Sequence, residues 1–382
     1  MRFSADFDTL IERFSPHRSD PLAIAVSGGS DSLALLYLAH DWALRVDRTL
    51  LILTVDHQLR SESADEALAV SELSSALGHR HETLVWAHPQ PGQATARRAR
   101  YELLANAARE HGARVLLTGH TFDDVVETAM IRRRRGVRDV SIAGPALAAP
   151  VPAWPQGRSV TLVRPLIGAT RSAFRKLLQS RGQSWVDDPS NLKLEYERVR
   201  VRQFLARHPQ LAGIAGTYVR SCQVARSERQ NVLARELIKI GVDQSGLIDT
   251  GAAEMSSELL RLLMRCASGT ATDARETGIR QLLATLTRQG QRQTLGGAWV
   301  QRAKESYLIG RDPAAQSLAA DGEIFDGRFI HDPAADLPPA KDLPFLVRQS
   351  APPGSHWREL ISERLAHLAL CYQTPLLNPV QT

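Results

Sequence analysis

The amino-acid sequence predicts an α/β protein, with a doubly wound parallel sheet followed by a smaller, mainly helical domain. Two observations indicate this. In the first two hundred residues, short and almost wholly apolar runs alternate with amphipathic helical patterns. Strands that are apolar on both sides are typical of a parallel sheet with helices on both faces. After Arg207 helical patterns dominate instead.

The first domain has four predicted strands, each followed by a helix. The strands are "LAIAV" (Leu22–Val26), "TLLILTV" (Thr49–Val55), "TLVW" (Thr83–Trp86) and "VLLT" (Val115–Thr118). The helices are expected at Ser32–Asp41, Ser63–Leu77, Thr95–His111 and Asp123–Arg134. Right-handed crossovers between parallel strands give an open sheet, and its ligands bind at the carboxyl ends of the strands.

The rest of the chain predicts a loop, a helical region and a tail. Gly144–Ser159 is rich in Pro, Gly and Ala, which favours a surface loop, and a strand followed by a helix comes next. Residues 209–286 predict amphipathic helices, and Gln293–Gly310 predicts a strand pair. We therefore expect a first domain over residues 1–207, a mainly helical domain over 208–315 and an appendage over 316–382.

Composition narrows the class of protein. No apolar run approaches the ~18 residues that cross a membrane. The charged N-terminal segment predicts no export signal. The three scattered cysteines, Cys222, Cys266 and Cys371, favour a reducing compartment over a disulfide framework. We expect a cytoplasmic protein with no membrane partner. A homodimer is an open alternative to a monomer.

Positive charge is concentrated in two stretches. From Arg97 to Arg138 ten arginines accompany five acidic residues, and from Arg164 to Arg207 ten Lys or Arg accompany four. Localised basic stretches suit a polyanion such as nucleic acid. The alternative is a set of solvated helix faces on an arginine-rich protein.

The segment "SGGSDS" (Ser27–Ser32) lies between the first strand and the first helix. Glycines there permit positive φ, and successive backbone N–H groups at a helix N-terminus bind anions. Asp31 would repel a phosphate unless a cation lay between them, so it is a candidate Mg²⁺ ligand. A simple helix entry with capping residues is the alternative.

Two further segments in the first half of this domain carry candidate site residues. Asp56 and His57 follow the second strand, where they could hold adenine or ribose or merely cap the core. Cations are unfavourable at a helix N-terminus, so the arginines of "TARRARYELL" indicate a phosphate partner. Those arginines are Arg97, Arg98 and Arg100.

"TGHTFDDVVET" (Thr118–Thr128) follows the fourth strand and contains a histidine and three carboxylates: His120, Asp123, Asp124 and Glu127. Such a cluster can hold Mg²⁺ or a cationic amine, although acids at a helix N-terminus are also favourable by themselves. Further on lie "WVDDPSN" (Trp185–Asn191) and "RVRVR", with Arg198, Arg200 and Arg202. The latter is a nucleic-acid contact or a solvated run.

"SGGSDS" resembles the SGGxDS loop of the N-type ATP pyrophosphatases, or PP-loop proteins. With "VDHQLRSES", "ARRARY", "HTFDDVVET", "DPSN" and "RVRVR" in that order, the chain resembles the tRNA(Ile)-lysidine synthetase family from about Leu22 to Arg202. Four positions depart from the family pattern: Gln58 for Gly, Thr121 for His, Val125 for Gln and Val199 for Asn. The first domain lacks cysteine, which argues against the thiolation relatives.

The resemblance implies a ligase that joins free L-lysine to the wobble cytidine of tRNA(Ile) with a CAU anticodon, using ATP and Mg²⁺. ATP would bind at Ser27, Gly28, Gly29, Ser30, Asp31, Ser32, Asp56 and His57, with Mg²⁺ at Asp31. Phosphate or base contacts are expected from Arg97, Arg98, Arg100 and His120, and lysine binding from Asp124 and Glu127. We expect tRNA contacts at Arg132, Arg135, Arg198, Arg200 and Arg202.

Two other classes stay open at this point. One is a different PP-loop adenylating ligase, acting on a small molecule or another tRNA base; a small-molecule substrate would leave the basic stretches unexplained. A non-catalytic nucleotide-binding module would give no reason for the acidic cluster.

Overall fold

The structure, a computed structural model, describes residues 3, 5–58, 63–87, 89, 92–138, 140–186, 193–315, 320–321, 324–331 and 357–374. The chain forms two compact units. The first contains residues 1–151 and 160–229, and the second contains 152–159 and 230–373. The predicted division at residues 207 and 315 stays a prediction.

The first unit is built on a six-stranded sheet in the order β3-β2-β1-β4-β6-β5. Its strands are β1 (Leu22–Ala25), β2 (Leu50–Asp56), β3 (Arg80–Val85), β4 (Val115–Thr118), β5 (Ala148–Pro150) and β6 (Thr161–Val163). All neighbouring pairs are parallel except β5 with β6. The α/β class and the parallel sheet are confirmed.

Helices lie before, between and after these strands, and the four predicted after the first four strands are the second to the fifth in chain order. The helices are α1 (Ala5–Phe14), α2 (Ser30–Val46), α3 (Ser63–Ala76), α4 (Gln93–Glu110), α5 (Phe122–Arg134), α6 (Arg171–Ser180), α7 (Glu197–Arg207) and α8 (Pro209–Leu237), which continues into the second unit. The central strands are buried, as their apolar runs predict. β3 is the exception: it lies at an edge and is largely accessible.

One expectation about this unit needs correction. Within the stretch predicted as a surface loop, residues 148–150 form β5, which pairs antiparallel with β6. The strand lies at the edge of the sheet, where Pro150 is tolerated because one side of the strand needs no partner. Its three residues are too short to give a periodic signal in the sequence.

The sheet order places the candidate site. β1 has β2 on one side and β4 on the other, so the strand order reverses between β1 and β4. The loops that leave these two strands diverge at the carboxyl edge, which creates a crevice. Ser27–Ser32 follows β1, and Gly119–Thr121 follows β4. Helices α4, α5 and α6 also begin at this edge, because each follows a strand that ends there.

The second unit combines helices with antiparallel sheets. Its helices after α8 are α9 (Ser257–Ala267), α10 (Glu276–Thr285) and α11 (Ile361–Tyr372). Its strands are β7 (Gly241–Val242), β8 (Ile248–Asp249), β9 (Arg292–Leu295), β10 (Ala298–Arg302), β11 (Tyr307–Arg311), β12 (Ala320–Asp321), β13 (Ile324–Phe325), β14 (Phe329–His331) and β15 (Trp357–Glu359). They form sheets in the orders β7-β8-β11-β10-β9 and β12-β13-β14-β15.

The strand pair expected over Gln293–Gly310 corresponds to β9, β10 and β11. Gly296 and Gly297, both with positive φ, form the two-residue turn between β9 and β10. The apolar face of α9 packs into the core of this unit together with α11. β7 and β8 interrupt the region that the sequence predicts as helical, and each is only two residues long.

No helix in the described ranges is both long enough and apolar enough to span a bilayer.

Candidate active site

The loop after β1 is held in shape by its own serines. Gly28 takes φ of +77°, which favours glycine. The Ser32 hydroxyl donates to the Gly29 carbonyl (2.9 Å) and accepts from the Ser27 backbone N–H (3.1 Å). Gly29 precedes the first residue of α2, so the loop presents backbone N–H groups at the positive end of a helix dipole. This geometry suits a phosphate group.

The loop after β4 passes very close to it. A Cβ atom at Gly119 would lie 2.9 Å from the backbone carbon and oxygen of Asp31, so only glycine fits. The loop Ser27–Ser32 and the "GHTFDDVVET" segment therefore meet where the strand order of the sheet reverses.

A single guanidinium joins the carboxylates of these two segments. Arg171, the first residue of α6, donates from Nε to Asp31 (2.9 Å) and from Nη2 to Asp124 (2.9 Å). Its Nη1 lies 3.5 Å from Glu127, and its backbone N–H donates to Asp123 (2.7 Å). Arg171 thus contacts the acidic residue of the first loop and all three acidic residues of the second segment.

We define the acidic cluster as Asp31, Asp124 and Glu127. Two arginines of α7 also bind its carboxylates. Arg198 donates to Glu127 (2.7 Å) and Asp124 (2.9 Å), and Arg202 donates to Glu127 (2.7 Å). The Glu127 side chain is only 2% exposed and is held by three arginines. A carboxylate at that depth requires such partners, because an unpaired buried charge is very costly.

Burial raises the pKa of the Asp31 carboxyl, although Arg171 opposes the shift. A cation near Asp31 would favour the ionised form, and carboxylate oxygen is the ligand type that Mg²⁺ prefers. The donor set therefore fits a metal ion carried by a nucleotide. Among the described residues, no group of three or more His, Cys, Asp or Glu side chains has the arrangement of a metal site by itself.

The arginines predicted to contact tRNA differ in their partners within the protein: some bind carboxylates and others bind backbone carbonyls. Arg198 and Arg202 bind carboxylates, as given above, and Arg200 donates to the carbonyls of Leu194 and Glu195. In the run at the end of α5, Arg132 donates to the Ser141 carbonyl and Arg135 pairs with Glu197. Their role in tRNA binding stays a prediction.

A second cluster, with the opposite charge, surrounds Tyr101. We define this basic cluster as Arg97, Arg100 and Arg164. The guanidiniums of Arg97 and Arg100 lie 5.0 and 5.2 Å from the Tyr101 ring centre, and Arg164 is buried beside the phenol. Burial would raise the pKa of Tyr101, but the three arginines together lower it. None of the three pairs with a carboxylate of the described residues.

His120 lies against this basic cluster. Burial, together with Arg164, Arg100, Arg97 and Arg198, lowers its pKa to about 2. Its Nδ1 is 3.1 Å from the Thr118 hydroxyl. The imidazole is therefore neutral at physiological pH and can hydrogen-bond to a ligand without carrying a charge.

Arg98 is turned away from the basic cluster. It is exposed and pairs with Glu102 (2.7 Å) one turn along α4. The three arginines that the sequence grouped together are thus separated by the helix geometry.

Asp56 and His57, at the end of β2, differ in their contacts. Asp56 accepts hydrogen bonds from the Gln58 backbone N–H (2.8 Å) and the Ser63 hydroxyl (2.6 Å). The buried Nδ1 of His57 has no partner among the described residues. Gln58, where the family pattern has glycine, takes φ of +51°. The DPSN turn lies outside the described residues, so its role stays a prediction.

Sequence reasoning missed Arg171, Arg164, Tyr101 and Gly119. Two signals were present. Arg171 begins a helix, where a cation is unfavourable, and this is the same irregularity that marked Arg97. Arg164 directly follows an apolar strand, as Asp56 ends one. Neither signal identifies a partner, because the carboxylates of Arg171 come from other segments.

The chain matches the PP-loop domain family (ATP_bind_3) over residues 2–209. It is 37% identical over 284 residues to a tRNA(Ile)-lysidine synthase of Hyphomonas neptunium, covering 72% of this chain and 77% of that one. It is also 37% identical over 317 residues to a tRNA(Ile)-lysidine synthase of Caulobacter vibrioides, covering 82% and 72%. The chain belongs to the tRNA(Ile)-lysidine synthase family.

A solved structure, the U34-tRNA thiolase NcsA of Methanococcus maripaludis, is similar at a TM-score of 0.45 and 16% identity, covering 57% of this chain and 77% of that one. That similarity is too low to bear on function. Membership of the family makes the chain a tRNA-modifying ligase with a PP-loop domain that uses ATP, and the resemblance drawn from the sequence is confirmed.

Proposed function

We propose that the protein joins the amine of free L-lysine to C2 of the wobble cytidine in tRNA(Ile) with a CAU anticodon. In the first step the C2 carbonyl oxygen attacks the α-phosphorus of ATP, and the bond to pyrophosphate breaks. In the second the lysine amine attacks C2, loses a proton, and the C–O bond to AMP breaks. The products are lysidine, AMP and pyrophosphate.

The observation that carries this proposal is the position of Arg171. Its guanidinium contacts Asp31 of the nucleotide loop and Asp124 of the acidic cluster, each at 2.9 Å. A site for ATP at the loop and a site for a cationic amine at Asp124 would therefore be separated by about the width of one guanidinium. A lysine amine held there would be close to a base activated at the loop, as a near-attack geometry requires.

We assign the loop Ser27–Ser32 to the phosphates of ATP. We assign the basic cluster to the negative charge that develops on the phosphates or the base during the reaction. Backbone N–H groups of Gly28–Ser32 and the helix dipole of α2 would bind phosphate, and Asp31 would hold Mg²⁺. That ion would share the negative charge of the leaving pyrophosphate. Arg97 and Arg100, with His120 as a neutral donor, would contact the phosphate or the base. His57 and Asp56 would border the adenosine.

Asp124 and Glu127 are assigned to lysine. Asp31, Asp123, Asp124 and Glu127 carry four formal negative charges, against three positive charges on Arg171, Arg198 and Arg202. The excess of one negative charge favours binding of a further cation, whether the lysine amine or the Mg²⁺ at Asp31. Free lysine and tRNA(Ile) as partners, a cytoplasmic location and a homodimer remain predictions.

The test is incorporation of radiolabelled lysine, with ATP and Mg²⁺, into a transcript of tRNA(Ile) with a CAU anticodon. A CAU elongator tRNA(Met) transcript is the matched control. We expect label in the first transcript alone. Label in neither, with pyrophosphate release driven by another substrate, would contradict the proposal in favour of a different PP-loop ligase.

A further inference from the structure

Helix α8 has an apolar stripe on the side that faces solvent. On its inner side Ala212 and Ala215 pack against the cluster of Val126, Val201 and Leu205. On its outer side Leu211 (45% exposed), Ile214 (67%) and Tyr218 (44%) follow at spacings of three and four residues. That spacing places them on one face of the helix. All three lie in the first unit.

The surroundings of this stripe are positive. The Tyr218 hydroxyl is hydrogen-bonded to the Cys222 side chain one turn along the helix, which raises the pKa of the phenol, and Arg133 and Arg138 lie close enough to oppose that shift. Both are exposed, and neither forms an ion pair with any residue that the structure describes. Residues 209–227 include no Asp or Glu. A second exposed aromatic residue, Phe204, stacks on His208 just before α8 begins.

An exposed aromatic ring beside unpaired arginines is the combination that binds unpaired nucleotides. A base stacks on the ring, and its phosphates contact the guanidiniums. A second copy of this chain would bring the same arginines against one another, which like-charge repulsion disfavours. A helix that binds lipid carries bulky apolar residues along its whole length, whereas Gly213, Thr217 and Ser221 border this short stripe.

We propose that the surface formed by Leu211, Ile214 and Tyr218, with Arg133 and Arg138, binds an unpaired stretch of the tRNA substrate, with one base stacked on Tyr218. This inference rests on the proposed function for the identity of the RNA. The surface shares no residue with the acidic and basic clusters. Its aromatic ring and its arginines can be changed separately, so base stacking and phosphate binding can be measured independently.

The test measures the dissociation constant for the tRNA(Ile) transcript by filter binding over a range of salt concentrations. Tyr218→Ala should weaken binding about ten-fold while leaving the salt dependence unchanged, because stacking releases no counterions. Tyr218→Phe should bind like wild type. The double variant Arg133→Gln/Arg138→Gln should lower the slope of log K against log salt by about 1.4, at about 0.7 for each phosphate contact to a single strand.

Val224→Ala is the matched control, since Val224 is an exposed apolar residue of the same helix away from the stripe. It should bind like wild type. Equal affinity of Tyr218→Ala and wild type would overturn the inference. Two other results would also overturn it. One is a wild-type protein that sediments as a dimer while Tyr218→Ala sediments as a monomer. The other is binding of wild type to phosphatidylserine vesicles that Tyr218→Ala loses. If wild type ligates lysine while Tyr218→Ala binds tRNA normally, this inference fails and the proposed function stands.

Discussion

Two charged clusters lie at the carboxyl edge of the same sheet, and they are neutralised in different ways. In the acidic cluster every carboxylate has a guanidinium partner, and Glu127 has three. In the basic cluster Arg97, Arg100 and Arg164 surround a phenol and a neutral imidazole, and none has a carboxylate partner in the described residues.

The difference shows which cluster is complete by itself. Paired charges in the acidic cluster stabilise the junction of α5, α6 and α7 even as they form a candidate amine site. Unpaired cations repel one another, so the basic cluster costs stability that an anion would restore. Functional sites often keep such a local conflict, because the ligand resolves it. Three changes test this contrast.

The largest effect is expected for Glu127→Gln in the acidic cluster. The amide keeps the shape but removes the anion that all three guanidiniums share. Removing one partner of a buried pair costs about 3–5 kcal/mol, and partial exposure of Arg198 and Arg202 reduces this to about 2–3 kcal/mol. Urea unfolding measures the loss. We also expect the KM for lysine to rise.

Glu102→Gln is the control for that variant, because Glu102 pairs with the exposed Arg98. A surface pair of this kind contributes below about 0.5 kcal/mol. Equal losses in the two variants would mean that the acidic cluster contributes no more than an ordinary surface pair.

The next effect concerns pH and His120. The folded pKa is about 2 and the ordinary value is 6.5, so between these values only the unfolded chain binds the proton. Stability from this group is present above pH 6.5 and falls with decreasing pH, by at most about 1.36 kcal/mol per unit. From pH 7 to pH 5 wild type should lose on the order of 1–2 kcal/mol more than His120→Gln. Parallel pH curves for the two proteins would show that the imidazole is not held neutral.

The smallest effect compares Arg100→Gln with Arg98→Gln in the presence of inorganic pyrophosphate. Pyrophosphate should stabilise wild type against heat, because it binds the folded chain alone. A lost charge-assisted hydrogen bond weakens binding about ten-fold, so Arg100→Gln should lose much of that shift. Arg98→Gln should keep it, since Arg98 points away. The reverse order would place the anion on the other face of α4.

Much of the first unit follows from local pattern. The strand runs and the positions of the loop Ser27–Ser32 and of the acids at the start of α5 are predicted, because apolar periodicity and glycine placement are local properties. Gly119 was missed because its constraint is a contact with Asp31, 88 positions earlier in the printed sequence. β5 was missed because three residues carry no period.

The sequence by itself determined the family, the α/β class and the residues with the chemistry to act on ATP and an amine. Only the tertiary structure decided which charges meet. Arg198 and Arg202, expected at the tRNA, bind Glu127, and Arg171 joins Asp31 to Asp124 across 140 and 47 residues of chain. The physical reason is that ion pairing depends on distances of a few ångströms in space, and strand order, which sets those distances, is not written in any single segment.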